Sequence, residues 1–206
     1  MKTGARSRYR RLLEWQRERL PDPPGDVTGL VHRYCRFLHA EGLPVFRANL
    51  SLTTLHPQIK GLRYVWQADH VEPGPFPSLA LVHRSCKHID GCTVEEAFLH
   101  YGARETPQFV RSPFYALRES GADRLSLRIA PTTGKRVRRF PVLDDLAAQG
   151  ATHYAAFQLR RTDGMISLVT RHPGGFERVA LAHIADTLVV LESLLDRIRK
   201  GEDTIS

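Results

Sequence analysis

The run at residues 45–54 constrains the fold more than any other part of the chain. Phe46, Ala48, Leu50, Leu52 and Thr54 alternate there with Arg47, Asn49, Ser51 and Thr53. Successive side chains of an extended strand point to opposite sides, so a period of two marks a strand with one buried face. Such a strand needs partners. Leu55, His56 and Pro57 begin a turn, and Leu62 through Trp66 reads as the returning strand of a hairpin with a longer loop.

Helical periodicity flanks this pair. Val27, Leu30, Val31, Tyr34, Cys35 and Leu38 fall on one face of a helix that Asp26 or Thr28 can cap. Gly42 stands where a left-handed residue would end it. Upstream, residues 1–20 read as a loosely amphipathic arm, which the run Pro21, Asp22, Pro23, Pro24, Gly25 separates as a linker.

The middle of the chain is harder to read. Residues 71–77 are Pro-rich and read as loop, and residues 79–83 as a short strand. Thr93 with Glu96 matches a capping box, which predicts a short helix through Tyr101. Ser112 before Pro113 opens another helix, with the serine as cap and the proline in the first turn.

Clarity returns from Leu125, whose neighbourhood to Ile129 alternates as a strand. Residues 141–149 predict a helix with Pro141 in its first turn and Gly150 as its stop. Two strands, 152–161 and 165–172, enclose a Thr162, Asp163, Gly164 turn. A helix over 177–200 follows the break at Pro173, Gly174 and Gly175. Its Leu181, Ile184, Leu188, Leu191, Leu195 and Ile198 recur at steps of three and four, as in a heptad seam. Ala180, Ala185 and Val189 add apolar surface beyond that seam, which predicts a homodimer through the terminal helices.

These elements predict an α+β fold, with a mostly antiparallel central sheet and terminal helices packed on one face. The organisation is a basic arm and linker over 1–25, one domain over 26–200 and a tail over 201–206. At 206 residues, 42% of them hydrophobic, the chain can build a core without disulfides or a metal. Cys35, Cys86 and Cys92 are odd in number and read as reduced thiols, which with the lack of a secretory leader predicts a cytoplasmic protein. No apolar run suits a membrane span.

The net charge of +8 gathers in Arg6, Arg8, Arg10, Arg11, Arg17 and Arg19 and again in Lys135, Arg136, Arg138 and Arg139. Solvated surface is the simpler reading. The alternative is a nucleic-acid-associated protein whose Arg-rich arm contacts phosphates.

Several short stretches occur in a telling order. They are Gly42-Leu43-Pro44-Val45, Thr54-Leu55-His56-Pro57, Tyr64-Val65-Trp66, Ser112-Pro113, Phe140-Pro141-Val142-Leu143, Gly150-Ala151-Thr152-His153-Tyr154, Asp163-Gly164 and Pro173-Gly174-Gly175-Phe176. Over about residues 27–200 this order resembles the GAF-like regulatory region that precedes the catalytic domain of proteobacterial class III adenylate cyclases. Arg197 through Ile205 is similar to the junction where those enzymes enter their catalytic domain. The resemblance implies a GAF-like sensory or regulatory domain that binds a small molecule. The aspartate-bearing strand that holds two metal ions in a cyclase has no counterpart here, so the expectation is a non-catalytic chain. The stretch around residues 79–111 departs from the pattern.

Candidate ligand residues are His56, Tyr64, Trp66 and His153. Tyr64 and Trp66 share one strand face, where a core role is the simpler reading. His153 and Tyr154 point to opposite sides, so one is expected inside and one outside. His83, Cys86, His88 and Cys92 are a concentration of soft ligands, but cysteines six positions apart with no second pair fit no zinc motif. No metal site or catalytic residue is assigned, and the sequence identifies no cofactor.

Overall fold

A computed structural model describes residues 26–54, 57, 59–69, 81–130 and 139–203. The basic arm, His56 and residues 204–206 lie outside them.

Helix α1, Val27–Ala40, starts at Asp26, whose carboxylate accepts the Gly29 N–H at 2.7 Å. It stops at Gly42, which sits at φ 78°, while Leu43 N–H closes back onto Leu38 O at 2.9 Å. That left-handed turn is open to glycine without a Cβ penalty.

Strands β1, Val45–Thr53, and β2, Ile59–Gln67, pair antiparallel with Ser51 opposite Arg63 and Ala48 opposite Trp66. The expected hairpin is therefore present. Strands β3, Leu81–Ile89, and β4, Cys92–His100, form a second hairpin that adds to β2 through β4. This corrects the capping-box reading at Thr93, since residues 93–100 are strand and not helix. The cause is visible at the turn, where Asp90 and Gly91 take φ 49° and 74°. Two consecutive left-handed residues match the twist of a two-residue hairpin. Pairing on both edges of β4 then outweighs a local cap signal.

Two short helices, α2 (Pro107–Val110) and α3 (Pro113–Ser120), are capped by Thr106 and Ser112. Strand β5, Arg124–Arg128, is followed by α4, Val142–Ala148, with Pro141 one position earlier than expected, at the cap. Strands β6, His153–Leu159, and β7, Gly164–Thr170, turn at Asp163, φ 48°, as their sequence predicts. The last helix, α5, spans Arg178–Asp203, so residues 201–203 belong to it and not to a tail.

All seven described strands form one antiparallel sheet in the order β3-β4-β2-β1-β7-β6-β5. The fold is α+β. One face of the sheet presents Ala48, Leu50, Tyr64, Trp66, Ile166 and Leu168 to α1 and α5 in a single apolar core. Fully burying a side chain of this kind stabilises by about 1.5–3 kcal/mol each. Tyr34 and Thr187 join the two helices by a 2.9 Å hydrogen bond between their hydroxyls.

Leu181, Ile184, Leu188, Leu191, Leu195 and Ile198 all lie in this core, none more than 7% exposed. The three-and-four spacing is thus accounted for by packing on the chain's own sheet. The large apolar side chains that α5 leaves outward are Val179 and Val189, at 62% and 58% exposure.

The opposite face has two halves. Over β5, β6 and β7 it carries a second apolar core, in which Phe114, Leu117, Leu143 and Leu146 meet Tyr154, Ala156 and Val169. Over β1 and β2 it carries polar side chains. No helix among the described residues is long and apolar enough to cross a membrane.

Candidate functional site

Alternation along β1 sends Arg47, Asn49 and Ser51 to the side away from α1 and α5. The register places Arg47 across from Gln67, Ser51 across from Arg63, and Asn49 across from Ser167 of β7. These side chains form the polar floor of a cavity of about 750 Å³. Residues of α2, α3 and α4 and the loop after β4 supply its walls, among them Arg104, Phe109, Phe114, Asp145 and Leu146. That volume is in the range of small-molecule sites, which combine apolar walls with a few convergent polar groups.

The charge in the cavity is one-sided. Arg47, Lys60, Arg63, Arg104 and Arg111 line it, against one lining carboxylate, Asp145. Burial pushes the Arg47 guanidinium below its ordinary pKa, with Glu95, Tyr154 and Asp145 acting in the other direction. Arginine remains charged across any such shift. Burial pushes the Tyr154 hydroxyl up, opposed by a hydrogen bond with Ser167 and by nearby Arg47 and Arg63. Arg104 donates from Nη2 to Thr53 Oγ1 at 2.5 Å, and Thr53 in turn donates to Asp163 O at 2.8 Å.

On the floor itself, Asn49 Oδ1 is buried without a hydrogen-bond partner. A buried acceptor left unmade costs about 1–3 kcal/mol, so a site that keeps one has a use for it or tolerates the loss.

The residues singled out from sequence are placed elsewhere. Tyr64 and Trp66 do share a strand face, but it is the helix-covered one, and both are core residues. Trp66 donates from Nε1 to His32 Nδ1 at 3.2 Å, and His32 Nε2 lies 3.4 Å from Asp90. Burial foremost lowers the His32 pKa, against the pull of Asp90. Neither Tyr64 nor Trp66 lines the cavity.

His153 is also interior. Its Nδ1 accepts the Phe176 N–H at 2.9 Å, which leaves Nε2 to donate to Ser126 Oγ at 2.8 Å. Burial and then Arg128 lower its pKa. The expectation that one of His153 and Tyr154 faces outward is corrected, since they are 3% and 5% exposed. Both sides of β6 are covered, one by the break before α5 and the other by α3 and α4. Tyr154, which was not assigned a role, is the one that reaches the cavity.

Cys92 packs into the core beneath α1, while Cys86 is exposed on the neighbouring strand across from Glu95. Glu95 lies three positions after Cys92, an odd step, so alternation sends the two thiols to opposite faces of the sheet. No group of three or more potential metal ligands gathers among the described residues.

The cavity residues were missed because the polar half of an alternating strand reads as solvent-facing. The available signal was arginine in two neighbouring strands, at positions 47 and 63, on a sheet whose later short helices also need a surface to cover. No family model matches the chain, and no curated protein matches it.

Proposed function

We propose that this chain is a non-catalytic sensory or regulatory domain, GAF-like in kind, that takes a small molecule into the cavity above β1, β2 and β7. The observation that carries this is the polar floor of the 750 Å³ cavity, with a buried acceptor on Asn49. The element order supports the resemblance as well, running from a helix through a hairpin and short middle helices to a strand pair and a long last helix.

A route for signalling follows from the same strands having two faces. β1 and β7 line the cavity on one side and carry α1 and α5 on the other. A ligand whose affinity differs between two packings of that helix pair shifts their populations by that difference. Without such a difference nothing passes.

The test is a thermal-denaturation screen of the purified chain against a library of small metabolites. A binder at 100 times its Kd raises stability by about 2.7 kcal/mol. Ser167→Trp, which fills the cavity, should abolish that rise. Nucleotide turnover by the pure chain, lost on replacing one acidic residue, would overturn the non-catalytic half of the proposal.

A further inference from the structure

The geometry points to an amphipathic organic anion as the occupant of this cavity: an acidic head over β1 and β2 joined to an apolar or aromatic body beneath α2, α3 and α4. This deepens the proposed sensory function and rests on it. Three observations lead there.

The first is charge. Five cationic side chains line the cavity against Asp145, and counting Glu95, which acts on Arg47, still leaves the cations in excess by five to two. Guanidinium groups gathered in one cavity favour a carboxylate, sulfonate or phosphate, which they bind through charge-assisted hydrogen bonds.

The second is position. Arg47 and Arg63 rise from adjacent strands, and Tyr154, buried beside Ser167, senses both. Arg104 approaches the same floor from the loop after β4, held by Thr53. An acid seated there meets cations from three elements.

The third is the apolar share of the lining. Phe109, Phe114, Leu146 and Val169 give the cavity an apolar wall, with Val169 across from Arg47 and Leu146 next to Asp145. A bare inorganic ion would leave that wall unused. Asn49 lines the floor across from Ser167, and a rotation of its side chain would bring the buried Oδ1 to an N–H or O–H of the ligand.

Two probes differing by one group test this. 8-Anilinonaphthalene-1-sulfonate has an acidic head and an aromatic body, and N-phenyl-1-naphthylamine has the body alone. Fluorescence titration of the whole chain should show one site for the sulfonate and binding at least about tenfold weaker for the amine. Arg63→Gln should weaken the sulfonate about tenfold and leave the amine unchanged. Arg104→Gln is a second variant should the first fail to fold. Arg160→Gln, whose ion pair with Asp123 is on the surface away from the cavity, removes the same charge and should change nothing.

Equal affinity for both probes, blocked by Ser167→Trp, would overturn the anionic head while leaving the small-molecule cavity standing. Sulfonate binding indifferent to both arginine variants would overturn the head as well. Binding of neither probe would remove both the anion and the cavity as a ligand site.

Discussion

Asn49 and Leu50 are neighbours in one strand, yet their side chains meet opposite conditions. Leu50 is wholly buried between the sheet and the α1–α5 pair. Asn49 faces a cavity, with its carbonyl oxygen buried and unpartnered. The same contrast extends along the sheet, with Tyr64 and Trp66 on one side of β2 and Arg63 and Gln67 on the other. One face follows the rule of close packing that maximises stability. The other leaves a cavity lined by polar side chains, and departures of that kind concentrate where a protein binds something.

The contrast can be broken by truncation. Leu50→Ala should cost about 2–5 kcal/mol in urea denaturation, as a large-to-small change in a filled core does. Ser51→Ala, one residue along and on the cavity floor, should stay within about 0.5 kcal/mol, as changes away from packed or paired groups do. Equal costs at the two positions would erase the distinction between faces.

A smaller effect is expected where the chain breaks before α5. Gly175 sits at φ 63°, and a Cβ there would lie 2.5 Å from His153 Nδ1 and 2.7 Å from Arg128 Nη1. Gly175→Ala should lower stability by about 1–3 kcal/mol without weakening ligand binding in the cavity. Lost binding at unchanged stability would show that the two faces are not separable.

The smallest effect is set by pH. His153 and His32 both titrate below the ordinary value of 6.5 in the folded protein, chiefly because burial disfavours their charged forms. The unfolded chain therefore takes up protons first as the pH falls. Stability is fully present above about 6.5 and declines as the pH drops through the folded values. His153→Gln should flatten that decline between pH 7 and pH 5, measured by denaturation at each pH. A decline just as steep in the variant would remove His153 as a cause.

Legibility in the sequence followed the same division. The helix-facing side was read well apart from Phe46, because α1, β1 and α5 bury long regular stripes; an irregularity between Val45 and Arg47 turns Phe46 into the second core on the opposite face. The β6–β7 hairpin was legible too, since Asp163 and Gly164 encode its turn. β4 was not, because Thr93 and Glu96 carry a cap signal that only the pairing with β2 and β3 overrides. The cavity was invisible for a different reason. Arg47, Asn49 and Ser51 look identical to a solvated strand face until the short helices between 107 and 148 are folded over them. Tyr64 and Trp66 share a strand face that reads either as core or as ligand platform, and here it serves the core.

Asn49→Leu tests the division between the faces most directly. If the polar floor is maintained for a ligand at the expense of stability, replacing the amide, with its unpartnered oxygen, by a hydrocarbon should raise the unfolding free energy by about 1 kcal/mol. The same variant should bind the sulfonate probe more weakly. An Asn49→Leu chain that is markedly less stable, yet binds the probe as before, would mean that the floor is structural.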